Sequence, residues 1–137
     1  MTGSVTFFVP GAPAPQGSKR HVGNGVMVES SKAVGPWRER VALAAHQAMR
    51  AMGWPPHVGA VTVALAFLMP RPKSLPKTRT VEATKRPDID KLVRACFDAM
   101  TDVCFTDDSQ VVGMRASKRY ALPDESPGVQ ITVTEGP

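Results

Sequence analysis

The stretch from Asp88 to Asp108, DIDKLVRACFDAMTDVCFTDD, opens on two carboxylates, runs through a helix-like segment and closes on two more. A helix of about ten to fourteen residues is a rigid rod of roughly 15–20 Å, and the chain that leaves it can return beside its start. The four acids are therefore expected to gather into one cluster. Pro87 fixes its own φ and disfavours the helical region for Arg86, so the chain should arrive extended and turn helical between Asp88 and Asp90. On an extended segment residues two apart share a side, which would let both carboxylates face one site.

Beyond Asp90 the apolar residues Ile89, Leu92, Val93, Cys96, Phe97 and Met100 recur at helical spacing and predict a buried stripe. Asp90, Arg94 and Asp98 lie four apart on another face, where they can serve chemistry or ion pairing.

With 137 residues the chain is long enough for one domain with a single core, and nothing in it marks a second. Its formal charge of +5 is unevenly placed. Between Pro70 and Pro87 stand Arg71, Lys73, Lys77, Arg79, Lys85 and Arg86, against Glu82 alone. Such a run is either a solvated face or the contact for a polyanion. Cys96 and Cys104 lack metal-ligand spacing and read as reduced structural thiols. No apolar run approaches the roughly twenty residues of a membrane span, and the start lacks a signal-peptide pattern, so the expected location is cytoplasmic.

In chain order, residues 4 to 9 alternate as a strand. Ala12 to Arg20 form a proline-stiffened loop in which Gly17, Lys19 and Arg20 could hold a phosphate. Asn24-Gly25 signals a small hairpin between His21 and Glu29. A helix is expected from about Ala33 to Met52, with N-caps offered by Ser30 and Ser31 and a buried stripe of Trp37, Val41, Ala44, Ala45, Ala48 and Met52. Val58 to Met69 reads as a central strand covered on both faces, and the proline-rich basic loop after it as a poorly packed excursion. Gln110–Tyr120 and Val129–Thr134 read as two further strands. The order gives an α/β (α+β) single domain, a mixed β-sheet packed with two main helices.

Carboxylate oxygens are what Mg²⁺ prefers, and the ion commonly completes its shell with water and substrate phosphate. Asp88, Asp90, Asp107 and Asp108 are thus candidate metal ligands. The structural alternative is helix capping for the first pair and a turn for the second. Their company of Lys85, Arg86, Arg94, Arg115 and Arg119 favours a site where a divalent ion meets a polyanion.

KRPDIDKLVRACFDAM followed by FTDDSQVV resembles the RusA family of phage and prophage Holliday-junction resolvases. The opening FFVPGAPAPQGSKR and the later Lys118-Arg119-Tyr120 resemble that family too. The resemblance implies a mixed α/β domain, a homodimer, and Mg²⁺-dependent nicking of four-way DNA junctions in the cytoplasm of a bacterial host cell, with Mn²⁺ as a substitute ion. It implies that Asp88, Asp90 and Asp108 are the catalytic carboxylates. Arg94 stands where the family has a functional lysine, keeping the charge but not a lysine's readiness to give up a proton. Lys91 replaces a common Asn. DNA contacts are expected from Lys19, Arg20, Arg71, Lys73, Lys77, Arg79, Lys85, Arg86, Lys91, Arg115, Lys118 and Arg119, and the first helix with Trp37 is the candidate dimer surface. Two other readings remain open: a protein of the same fold that binds branched DNA without cutting, and a nuclease of broader duplex or flap specificity.

Overall fold

A computed structural model describes residues 3–17 and 32–137 in full, and residues 19–21 and 27–29 as backbone only. The elements are β1 (Ser4–Pro10), β2 (Lys19–His21), β3 (Met27–Glu29), α1 (Val34–Met52), β4 (Val61–Met69), α2 (Ile89–Met100), a 3₁₀ turn (Asp108–Gln110), β5 (Val111–Tyr120) and β6 (Gly128–Glu135). Four strands form one mixed sheet in the order β1-β6-β4-β5. β6 pairs antiparallel with β1 and β4, whereas β5 pairs parallel with β4. β2 and β3 form a separate antiparallel pair. Asn24 and Gly25, expected at its turn, lie outside the described residues, as do Ser30 and Ser31.

One face of the sheet is apolar because every second residue points the same way. Val5, Phe7 and Val9 of β1, Val61, Val63, Leu65, Phe67 and Met69 of β4, and Val129, Ile131 and Val133 of β6 form one core with the two helices. The opposite face is open: Ala64 and Ala66 of β4 are exposed, as are Phe8 and Gln130. The expectation that β4 is covered on both faces therefore fails. Its intervening residues are small enough to read as apolar cover while standing in water. β4 is, however, an inner strand, as its apolar run suggests.

On α1 the buried residues are Val34, Trp37, Val41, Ala45 and Met49. Met52, expected in the stripe, is exposed, because the helix has rotated past the core by its last turn. Trp37 is only 3% exposed and belongs to the core of one protomer, so it cannot anchor a dimer. The helix starts at Ala33 without a side-chain cap. It ends at Gly53 in the left-handed region, where the N–H bonds of Gly53 and Trp54 close the last turn on Arg50 and Met49. Gly128 is required for another reason: a Cβ there would collide with the Val9 carbonyl and the Phe8 ring, where β1 and β6 pair side by side.

α2 buries Leu92, Val93, Ala95, Cys96, Ala99 and Met100, while Ile89 and Phe97 are half-buried. Burial pushes the thiols of Cys96 and Cys104 up to about 12, with the Trp37 side chain beside Cys96 opposing the shift. Both cysteines are free. Among the described residues no helix is long and apolar enough to cross a membrane.

Leu92 has no exposed surface and links α2 to the core. Leu92→Ala should lower the unfolding free energy by about 2–5 kcal/mol, through lost burial and the cavity left behind. Urea denaturation of the two proteins would measure it, and a loss under about 1 kcal/mol would show that α2 is not packed as described.

Candidate active site

Asp88 is the last extended residue before α2 (φ −70°, ψ 140°) and Asp90 lies in the first helical turn, so the expected change of backbone conformation between them is present. Both side chains are exposed. The Asp88 carboxylate makes no capping bond to the helix and sits 3.9 Å from the Lys91 ammonium. The backbone N–H of Gln16 donates to the Lys91 carbonyl at 3.0 Å, laying the N-terminal loop across the start of α2. Between them is a cleft of about 480 Å³, walled by Pro13, Pro15 and Pro87 and edged by Arg86, Asp88 and Lys91. Asp90, Arg94 and Asp98 lie exposed along one side of α2, and Arg38 of α1 reaches Asp98 at 3.9 Å.

The second acid pair is built by a different device. Asp107 caps the 3₁₀ turn, its carboxylate accepting from the Ser109 N–H at 3.4 Å. The turn weighed for this pair is thus present, with Asp107 as its cap, whereas the helix cap weighed for the first pair is not made by the Asp88 side chain. Hydrogen bonds from Ser109 hold its carboxyl below the usual value. Asp108 is shifted upward, first by desolvation, then by its hydrogen bond with Asp107 and by the charges of Asp107 and Asp98. Residues 106 to 109 are all exposed and give the turn no apolar anchor.

Gln110 supplies the anchor instead. Its side-chain oxygen accepts from the Thr106 N–H at 2.9 Å, the Asp107 N–H at 2.8 Å and the Thr106 hydroxyl. Its amide nitrogen donates to the carbonyls of His57 at 2.9 Å and Gly59 at 2.8 Å. Only an amide offers an acceptor and two donors in this arrangement; a carboxylate of the same length would face two carbonyls with no proton to give. Sequence reading gave Gln110 only a strand position. Its signal was the spacing D-x-x-Q, an acid followed three residues later by an amide, as in a capping box.

The four acids do not meet in one protomer. Lys118 of β5 donates to the carbonyls of Lys85 at 2.8 Å and Pro87 at 2.7 Å, which fixes the start of α2 beside the far end of β5. Asp108 immediately precedes the near end of β5, where Val111 pairs with Val61. Lys118 stands seven residues further on, so the two acid pairs lie on the order of 20 Å apart along the strand. Among the described residues no three His, Cys, Asp or Glu side chains come together as a metal-ligating group. The single cluster expected from a doubling back does not form. β5 is parallel to β4, and a strand parallel to β4 must begin where β4 begins, which is where α2 ends.

The carboxylates nevertheless suit Mg²⁺. They are exposed, hard oxygen donors, and Asp88 and Asp90 are not consumed by caps; an ion that keeps waters and takes phosphate oxygens needs only one or two such groups from the protein.

The basic residues divide in two. Arg71 is turned inward, its guanidinium donating to the carbonyls of Pro76, Arg79 at 2.6 Å and Ala121 at 3.5 Å. The basic loop is thereby organised around one of its own cations, although, as expected of a poorly packed excursion, only Ala83 of residues 71–86 is buried. Arg119 forms a two-bond pair with Glu125 at 2.7 and 2.9 Å, and Lys118 holds the turn before α2. These three are engaged within the protein. The side chains of Lys73, Lys77, Arg79, Lys85, Arg86, Arg94 and Arg115 are exposed, without a side-chain partner among the described residues. Those of Lys19 and Arg20 lie outside what is described.

The family profile described as endodeoxyribonuclease RusA matches residues 10–134. The chain belongs to that endodeoxyribonuclease family, and the four-stranded mixed sheet with two helices is the α+β fold expected for it. It is 29% identical over 144 residues to the "Uncharacterized protein YqaN" of Bacillus subtilis (strain 168), with 96% of each chain covered.

Two outcomes follow. Gln110→Ala should speed hydrogen exchange of the Thr106 and Asp107 amides by on the order of 10-fold or more while β4 amides stay protected, since only the turn loses its hydrogen bonds. Unchanged exchange would show that the turn has another anchor. Glu125 is held at about 2 by the Arg119 hydrogen bonds, then by the Leu122 N–H. Because its folded value is depressed, the pair's contribution is present above the ordinary 4.5 and lost as pH falls through about 2. Carboxyl NMR of Arg119→Ala should find Glu125 titrating closer to 4.5, and an unmoved titration would contradict the pair.

Proposed function

We propose that this protein is a Mg²⁺-dependent, homodimeric endodeoxyribonuclease that resolves four-way DNA junctions by paired symmetric nicks. The observation that supports it most is the start of α2, where Asp88 and Asp90 stand uncapped beside Lys85, Arg86 and Arg94, in a chain of the RusA family. Carboxylates that serve only as caps need no cations without partners around them; carboxylates that share a divalent ion with DNA phosphates do.

In this reading Asp88 and Asp90 would hold the ion, while Asp108, the third carboxylate that the resemblance implies, lies on the order of 20 Å away in the same chain, presented by the turn that Asp107 shapes, and would join them only across the dimer. A bound Mg²⁺ supplies Lewis-acid polarisation of the scissile phosphate and steadies the leaving oxygen. Arg94, exposed between Asp90 and Asp98, contributes permanent positive charge to the pentavalent transition state and no proton transfer. Lys91 and Arg86 line the cleft beside Asp88 and hold the phosphates flanking the cut. Lys73, Lys77, Arg79, Lys85 and Arg115, with Lys19 and Arg20 on the N-terminal side, carry the arms. Arg71, Lys118 and Arg119 serve the same interface by shaping it.

Two-fold symmetry fits the substrate. A four-way junction is close to two-fold symmetric and its clean resolution needs two matched cuts, which a dimer provides. Free, reduced thiols fit a cytoplasmic setting in a bacterial host cell.

Cleavage of a labelled four-way junction beside a linear duplex of the same sequence, titrated with Mg²⁺, tests the assignment. Junction-only, metal-dependent paired nicks are expected, and Asp90→Asn should lower the rate on the order of 100-fold with junction binding retained. Equal cutting of the duplex would mean a broader nuclease, and tight binding without products would mean a branched-DNA-binding protein. Affinity should fall with salt by about one counterion for each phosphate neutralised, and a flat response would remove the basic loop from the interface.

A further inference from the structure

Given the nuclease reading, on which this rests, the start of α2 has to be held still, because a reacting group displaced by about 1 Å can cost on the order of 100-fold in rate. The fold gives this segment little to rest on. Residues 84–88 belong to no strand, and all of them but the half-buried Pro87 are exposed. The Asp88 side chain makes no capping bond, and its ion pair with Lys91 is long, at 3.9 Å. What reaches the segment from the sheet is a side chain of β5.

Lys118 pairs in register with the buried Phe67, so its side chain leaves the sheet on the side of the core and the helices. There it is half-buried, and its ammonium donates to the carbonyls of Lys85 at 2.8 Å and Pro87 at 2.7 Å. A lysine ammonium has three donors and no acceptor. Two of them are spent on backbone oxygens that stand on either side of Arg86, at the short distances of charge-assisted hydrogen bonds.

A peptide group is planar, so holding its carbonyl also holds the nitrogen and the next Cα. Fixing the Pro87 carbonyl therefore fixes the plane that carries the Asp88 nitrogen and Cα. On its other side Asp88 is tied to the helix, where the Leu92 N–H donates to its carbonyl at 3.2 Å. Asp88 is thus clamped from both sides, and the Lys85 carbonyl fixes Arg86 in the same way.

We infer that Lys118 is a positioning residue of the active site: it acts through the Pro87 and Lys85 carbonyls to aim Asp88 and Arg86, and it does not contact DNA. A phosphate contact would require its ammonium to release both carbonyls.

Lys118→Met tests this, since it keeps an unbranched side chain of similar length and removes the donors. Lys118 is not part of the apolar core, so the variant should fold. On a four-way junction with Mg²⁺ its kcat should fall on the order of 100-fold. Its Kd for the junction without divalent metal, and the slope of log Kd against log salt, should stay those of the wild type. A phosphate contact would instead weaken binding and reduce the slope by about 0.9. That result, or an unchanged kcat, would overturn the inference.

A second measurement is independent of cutting. By ¹⁵N relaxation the order parameter of the Asp88 N–H should drop from about 0.85, the value of rigid backbone, to below about 0.6 in Lys118→Met. The amides of α2 from Leu92 onward should keep their wild-type values. An Asp88 amide as rigid as before would show that Lys118 does not hold it, and loosening of the whole helix would make the lysine a support of the fold; either overturns the assignment. Wild type that cuts no junction would overturn the nuclease reading, while the relaxation data would still decide whether Lys118 holds Asp88.

Discussion

The parallel pairing of β5 with β4 sets the layout of everything functional in this chain. Antiparallel neighbours can be joined by a tight turn, but parallel ones need a crossover that carries the chain back the full length of the strand. Here the crossover contains both the basic loop and α2. α2 must run antiparallel to β4, from the end marked by Met69 back to the end marked by Val61. Its first turn therefore lies at one end of the sheet and the turn before β5 at the other. Asp88 and Asp108 are separated by that requirement, whatever their spacing in sequence. The same requirement places Gln110 within reach of His57 and Gly59, since β4 and β5 start side by side.

Positive charge is used in two physically different ways. Arg71, Lys118 and Arg119 each meet backbone carbonyls, and Arg119 also meets a carboxylate. These bonds replace apolar packing in segments that have little of it: the loop after β4, the approach to α2 and the turn between β5 and β6. The remaining cations of the loop are exposed, without a side-chain partner among the described residues. Exposed ion pairs contribute little to stability, and crowded cations of one sign repel one another. Of the cations, Arg86 and Lys91 line the cleft beside Asp88, and the proposed function gives them DNA phosphates to meet.

Much of this was legible in the sequence because it follows from periodicity and local backbone chemistry. The alternation in β1, β4 and β6, the stripe on α2, and the extended-to-helical change at Asp88 all depend on neighbours a few residues away. Misread features depend on distant partners. Met52 fits the helical spacing of α1, but whether it is buried depends on where the sheet stops. Ala64 and Ala66 read as buried because Ala is apolar, yet none of the described residues covers that face. Arg71 and Lys73 are indistinguishable as letters in a basic run; only the folded loop turns the first onto three carbonyls and leaves the second in water.

The acids show the same division most sharply. Local reasoning placed each of them correctly within its own segment: Asp88 and Asp90 around the start of a helix, Asp107 and Asp108 in a turn. What it could not supply was the direction of β5, because parallel and antiparallel strands of this length carry the same alternation of side chains. An antiparallel β5 would begin at the end of β4 where α2 starts, and would bring the four carboxylates together. A parallel one holds them apart, and the distance between Asp88 and Asp108 is therefore fixed by strand pairing with Val61 to Met69, residues that carry no charge at all.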